Sequence, residues 1–201
     1  VDISYSHILA TSPHEYFQGR YYVILAHLST YFNDSVIIDL GTHRGESAAA
    51  LSYNKSNIVY TYDINSNDEA IQRVQEEGNI RYIIGDCIGA NWSGMAMLPG
   101  IEPKVDREIF LSSELIFMDI DPHNGIQEDK VLNFLIDNKW KGVLVCDDIG
   151  LGLEEGKENE HPAMRDWWHS IEVKKYNISS NHYASGTGTG VVCFDNQEVI
   201  F

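Results

Sequence analysis

Basic residues are scarce in this chain. Lys and Arg number 14 against 30 Asp and Glu, a formal charge of −16, and no stretch gathers the basic ones. Binding to nucleic acid or to an anionic membrane surface is therefore not expected, because both need a basic footprint. Long apolar runs are missing too. None approaches the roughly 20 residues that cross a bilayer, so no membrane span is expected. The opening stretch VDISYSHILATSPHEY lacks the basic-then-apolar order of a secretory signal, and a cytoplasmic location is the expectation. Cysteines are few and odd in number. Cys87, Cys146 and Cys193 are too far apart for zinc spacing and form no disulfide framework. They read as buried small apolar residues in a reducing compartment. The dinucleotide signature Gly-x-Gly-x-x-Gly is absent as well.

What is present suits one globular domain. The 201 residues are 43% hydrophobic, with no repeat and no low-complexity segment. Ser12-Pro13-His14-Glu15 has the cap, first-turn proline and capping-box glutamate of a helix start. Phe17, Tyr21, Ile24, Leu28 and Tyr31 then mark one apolar stripe. Beyond it strands and helices alternate. Strands are expected at 36–40, 58–62, 80–84, 115–118 and 142–146, with two more at 173–179 and 190–194. Helices are expected at 46–53, 68–77, 127–138 and 163–171. Residues 99–113 read as a surface connection and 150–162 as a mobile loop. The SGTGTG run at 185–190 leads into a strand instead of a helix, so it reads as a flexible turn and not as a phosphate loop. This alternation predicts an α/β fold: a Rossmann-like, doubly wound, mostly parallel sheet of about seven strands, helices on both faces, the last strand antiparallel. The single domain divides into an N-terminal helical segment (1–35), a cofactor-binding core (36–149), a segment covering the acceptor (150–170) and C-terminal strands (171–201).

In such sheets ligands sit at the carboxyl ends of the strands. Each of the first five strands ends in, or runs toward, a carboxylate: Asp39, Asp63, Asp86, Asp119 and the pair Asp147-Asp148. One such residue is only a sheet edge meeting water; five in register mark a site. Asp63 lies one strand-helix-strand unit beyond Asp39, where a carboxylate can accept both hydroxyls of an adenosine ribose. The turn after the first strand is Gly41-Thr42-His43-Arg44-Gly45, with His43 where a dinucleotide loop needs its middle glycine. A pyrophosphate requires close backbone approach there; a ligand without phosphate does not.

The ordered set DLGTHRGES, YTYDIN, IIGDC, IFMDID and LVCDDI resembles the class I S-adenosylmethionine-dependent methyltransferases over residues 36–149. The turn is similar to that of the metal-dependent O-methyltransferases, of the catechol and caffeoyl-CoA type and of the macrocin O-methyltransferase and cephalosporin hydroxylase-like groups. The resemblance implies S-adenosylmethionine as cofactor. Gly41 and Gly45 would let its methionine part lie on the turn, Ser47 would hold the carboxylate, and Asp39 the ammonium. Asp63 would bind the ribose hydroxyls, and Asp86 with Cys87 would sit by the adenine. Thr42, Ile64 and Asp119 complete the implied cofactor-binding set. It also implies Mg²⁺ or another divalent ion on Asp119, Asp147 and Asp148. All-oxygen ligands suit a hard cation, and three converging carboxylates without one would repel each other.

The function so implied is methyl transfer to a hydroxyl of a small-molecule acceptor, a sugar, natural product or catechol. Asp119 and His123 are the expected catalytic residues, His123 as base because an imidazole exchanges protons near neutral pH. The lysine that the catechol type carries three residues after its strand-four aspartate is Pro122 here, so that base does not carry over. Two alternatives stay open: a metal-dependent glycosyltransferase using Asp119-Ile120-Asp121, and a non-catalytic cofactor-binding domain. Trp167 and Trp168 could stack on an acceptor ring, but adjacent residues cannot share one helix face, so at least one belongs to the core. A homo-oligomer is compatible with all of these readings.

Overall fold

The computed structural model describes residues 20–85, 107–152, 160–180 and 184–194, with the side chains of residues 20 and 21 left aside. The expected helix start at Ser12 and the positions Asp86 and Cys87 lie outside these residues. In chain order the elements are α1 (Arg20–Ser29), β1 (Val36–Leu40), α2 (Glu46–Leu51), β2 (Ile58–Asp63), α3 (Asp68–Glu77), β3 (Ile80–Ile84), α4 (Arg107–Ser112), β4 (Leu115–Met118), α5 (Ile126–Asp137), β5 (Val143–Cys146), α6 (Pro162–Ser170), β6 (Lys175–Asn177) and β7 (Gly190–Cys193). The seven strands form one sheet in the order β3-β2-β1-β4-β5-β7-β6. β1 to β5 pair in parallel. β7 runs antiparallel between β5 and β6, as the sequence leads one to expect of the last strand.

The sheet is covered on both faces because its central strands are almost wholly apolar, and alternate residues point to opposite sides. Ile37, Val59, Leu115, Phe117, Val143, Val145 and Val191 pack with Ile24, Leu28, Leu51 and Val74 of α1, α2 and α3. Ile38, Leu40, Ile116, Met118, Leu144, Cys146 and Val192 pack with Phe110, Val131, Leu135, Met164, Trp167 and Trp168 of α4, α5 and α6. Cys146 and Cys193 are buried in β5 and β7, matching the reading of these cysteines as core residues.

Three sequence expectations need correction. α1 is not a one-stripe helix: every residue from Val23 to Ser29 is buried, because the helix packs against α2 and the first core instead of lying on top of it. Part of the 99–113 connection is the helix α4, whose six residues are too few to show a period yet bury Phe110 completely. The turn at 185–190 is packed and not loose. Ser185, Thr187, Gly188 and Thr189 are buried, and the Gly188 carbonyl accepts from Ile149 N–H at 3.1 Å. Among the described residues no helix is long and apolar enough to cross a membrane.

Candidate functional site

Strand order reverses between β1 and β4. The chain leaves β1 toward β2 on one side and leaves β4 toward β5 on the other, so a crevice opens above their shared end. It is a cleft of about 420 Å³ whose lining includes Gly41, His43, Tyr62, Asp63, Ile64, Asn65, Asp119, Ile120 and His123.

Gly41 makes that crevice possible. It lies at φ +100°, and a Cβ there would come 1.7 Å from the Asp119 carbonyl oxygen, so the turn presses directly onto the end of β4. The N–H groups of Gly41 and Thr42 both donate to the Tyr62 carbonyl, at 2.9 and 3.1 Å. His43 then sits at φ +44°, exposed, with its N–H donating to Asp63 Oδ2 at 2.8 Å. The other Asp63 oxygen accepts from Asn65 N–H at 2.9 Å. Asp63 thus accepts a backbone donor on each carboxylate oxygen, and it lines the cleft. Ile64 is largely exposed beside it.

Asp39 is buried beneath the turn. Ser47 Oγ donates to its Oδ2 at 3.1 Å, and Thr61 Oγ1 donates to the same oxygen at 2.5 Å. Thr42 and Thr61 hydroxyls pair at 2.6 Å. The second Asp39 oxygen, Oδ1, has no hydrogen-bond partner among the described residues. Burial pushes the Asp39 carboxyl up from its ordinary 3.8 to about 7. Such a group has a place waiting for a cation or a donor. Ser47 is engaged with Asp39 and buried, and Gly45, left-handed at φ +78°, opens α2.

The far end of the cleft carries the second group. Asp119 and Asp147 are the first residues past β4 and β5, and their N–H groups extend the ladder to Leu40 and Met118 carbonyls. Asp119 Oδ1 lies 3.4 Å from His123 Nε2, and the same nitrogen lies 2.8 Å from Asp148 Oδ2. These three are the described residues whose ligand atoms converge, all within 4.8 Å of one another. Asp147 stands behind them, buried, with Thr189 Oγ1 donating to its Oδ1 at 3.5 Å. Asp121 reaches His123 Nδ1 only at 3.6 Å, with a side chain 97% exposed. Burial, then repulsion from Asp147 and Asp148, holds the Asp119 carboxyl well above the usual carboxylate range. Burial and Asp148 push Asp147 up in the same way. An arrangement that leaves carboxylates so costly to ionise is suited to a cation. His43, His123 and Asp148 are three of the described non-glycine residues at positive φ, a conformation that costs energy and gathers at sites.

The sequence singled out neither Thr187 nor Glu128 as part of this site, and placed His161 only within the segment covering the acceptor. His161, at the start of α6, has Nε2 3.8 Å from Asp148 Oδ2, and its ring centroid lies 5.0 Å from that of His123. Thr187 Oγ1 donates a short hydrogen bond to Asp148 Oδ1. Glu128, in the first turn of α5, is buried, and burial raises its carboxyl while nearby His123 works against that. None of the three belongs to a strand end, so no local pattern marks them. Trp167 and Trp168, by contrast, are both core. Trp167 packs on Gly125, where a Cβ would meet it at 2.7 Å, and Trp168 on Gly190 at 2.4 Å. Neither is available to stack on an acceptor.

No family model matches the sequence, and no curated protein does. Solved structures do. The chain is similar to the cofactor-bound Rv0187 from MTB, at 16% identity over 96% of this chain and 90% of that one, with a TM-score of 0.63. It is similar to the SAH-bound methyltransferase PaMTH1 of Podospora anserina, at 12% identity over 95% and 86%, TM-score 0.58. A third is the O-methyltransferase TomG of Streptomyces achromogenes in complex with SAM, at 16% identity over 85% and 78%, TM-score 0.52. By strand order, by the antiparallel last strand and by these likenesses, the chain has the fold of the class I S-adenosylmethionine-dependent methyltransferases.

Proposed function

We propose that the chain is an S-adenosylmethionine-dependent O-methyltransferase acting on a hydroxyl of a small molecule, assisted by a divalent ion. One observation carries this reading: a single cleft is lined at one side by the Gly41 turn and Asp63, and at the other by Asp119 and His123. Asp63, held by two backbone donors, would take the ribose hydroxyls. Asp39 would pair with the methionine ammonium, which answers its unpartnered oxygen and would bring its carboxyl back down. Ser47 would act through Asp39 and hold it in place. Asp86 and Cys87 keep the adenine role that the resemblance implies.

In the reaction the acceptor oxygen attacks the methyl carbon in line with the departing sulfur. The C–S bond breaks as the O–C bond forms, and the hydroxyl proton must leave. The protein aligns the reactants and keeps water out. Asp119, His123 and Asp148 would hold a divalent ion, and such an ion lowers the pKa of a hydroxyl bound to it. Asp148 also holds His123 at 2.8 Å, an orientation suited to a base. The Nε2 of His123 cannot both take a proton and bind an ion; with an ion held there, the acidified hydroxyl would release its proton to solvent at the mouth of the cleft.

The glycosyltransferase alternative loses ground because Asp121 points to solvent and does not join Asp119. Calorimetry with S-adenosylmethionine and with a sugar nucleotide, each with and without a divalent ion, tests the reading. S-adenosylmethionine failing to bind at any ion concentration would end it.

A further inference from the structure

We infer that the cluster at the ends of β4 and β5 takes a borderline transition-metal dication, of the Co²⁺ or Zn²⁺ class, in preference to Mg²⁺, and that His161 is one of its ligands beside Asp119, His123 and Asp148. This rests on the ion-assisted reading above, but not on the identity of the organic cofactor.

The donor set is mixed. His123 comes from the loop between β4 and α5, and His161 from the start of α6. The two approach from different elements, yet both direct Nε2 at the same oxygen, Asp148 Oδ2, at 2.8 and 3.8 Å. Asp119 Oδ1 lies 3.4 Å from the first of these nitrogens. An ion with tetrahedral bonds of about 2.0–2.1 Å sets its ligand atoms roughly 3.4 Å apart. Three separations in the cluster, 2.8, 3.4 and 3.8 Å, bracket that spacing; the ligand atoms of Asp119, His123 and Asp148 already lie within 4.8 Å of one another, and His161, outside that group, would turn inward to complete it.

The surroundings divide Asp148 in a way that favours this use. Thr187 Oγ1 takes Oδ1, leaving Oδ2 toward the two imidazoles. Thr187 is itself held by Ser185 Oγ at 3.2 Å, and Ser185 Oγ accepts from Gly188 N–H at 3.1 Å. A hydrogen-bonded partner behind a ligating carboxylate is what fixes such ligands in place. Two imidazoles discriminate between ions. Mg²⁺ prefers oxygen and keeps its waters in an octahedron, while Co²⁺ and Zn²⁺ accept nitrogen and fewer ligands. With His161 as a ligand, the ion would also tie α6 to the ends of β4 and β5.

The test uses the full chain without a tag, stripped with a chelator, titrated calorimetrically with Mg²⁺, Co²⁺ and Zn²⁺, with the visible spectrum of the Co²⁺ form as a second readout. Co²⁺ is expected to bind at least about a hundredfold more tightly than Mg²⁺. His161→Ala should lower Co²⁺ affinity by about tenfold or more and change the Co²⁺ spectrum, while leaving Mg²⁺ affinity unchanged. His161→Gln, closer in shape, should do the same, and circular dichroism checks that both variants are folded. Unchanged Co²⁺ affinity and spectrum in the two variants would overturn the inference, as would equal affinity for Mg²⁺ and Co²⁺. S-adenosylmethionine titrations run in parallel keep the two failures apart. Co²⁺ bound through His161 without S-adenosylmethionine binding sinks only the methyltransferase reading. S-adenosylmethionine binding with no ion bound sinks the inference and the ion's part in the reaction, and leaves methyl transfer standing.

Discussion

Replacing Asp39 by asparagine should stabilise the protein at mildly alkaline pH while costing it the cofactor. The Asp39 carboxyl is fully buried, and burial raises it from 3.8 to about 7. Its folded value lies above its unfolded value. Between about pH 4 and pH 7 the folded chain therefore holds a proton that the unfolded chain has lost, and stability falls as pH rises through that window. The whole displacement corresponds to about 4 kcal/mol, of which about 3 kcal/mol falls between roughly pH 5 and pH 8. Asparagine keeps the shape and carries no charge, and the Ser47 and Thr61 hydroxyls can turn to suit it. Urea unfolding of both proteins near pH 5 and near pH 8 gives four free energies. The variant's advantage should grow by up to about 3 kcal/mol from the lower to the higher pH, or several degrees in melting temperature for a domain of this size. S-adenosylmethionine affinity, measured on the same samples, should fall by tenfold or more, because the ammonium loses its counter-charge (about 1.4 kcal/mol per factor of ten). An advantage that is the same at both pH values would refute the reasoning: Asp39 would then ionise in the fold without cost.

Gly41→Ala should prevent normal folding, since its Cβ would strike the Asp119 carbonyl at 1.7 Å and φ +100° is unsuited to alanine; a cooperative melt near that of the parent would contradict this. Thr187→Val should cost the parent's melt only about 1–3 kcal/mol, yet loosen Asp148 enough to weaken Co²⁺ binding, measured by calorimetry; unaltered ion affinity would show that Asp148 needs no holding.

The strands were legible in the sequence because a parallel sheet buried on both faces demands near-continuous apolar runs, and VIIDL, interrupted only by Asp39, LIFM and VLVC supply them. The turn at Gly41 and the carboxylates at the strand ends followed from that, since each is local to its strand. α4 was not legible: a helix of six residues gives too few apolar positions to establish a period. The role of the SGTGTG turn was hidden for a different reason. Its hydroxyls are satisfied by Asp147 and Asp148, about 40 residues away in the chain, and no pattern within the turn announces a partner so distant. The sequence assigned at least one of Trp167 and Trp168 to the core and left the other open to a ligand; the small residues Gly125 and Gly190 opposite them put both in the core.

By itself the sequence determined the fold class, the glycine turn after the first strand and the line of carboxylates, because hydrophobic period and strand-end polarity are properties of short segments. The tertiary structure alone decided which of those carboxylates meet. It buried Asp147 against Thr189 and beside Asp119, sent Asp121 into solvent, and brought His123 and His161 together on one oxygen of Asp148. Convergence of side chains from β4, β5 and α6 depends on how those elements pack, and packing is a relation between distant segments that no single one of them encodes.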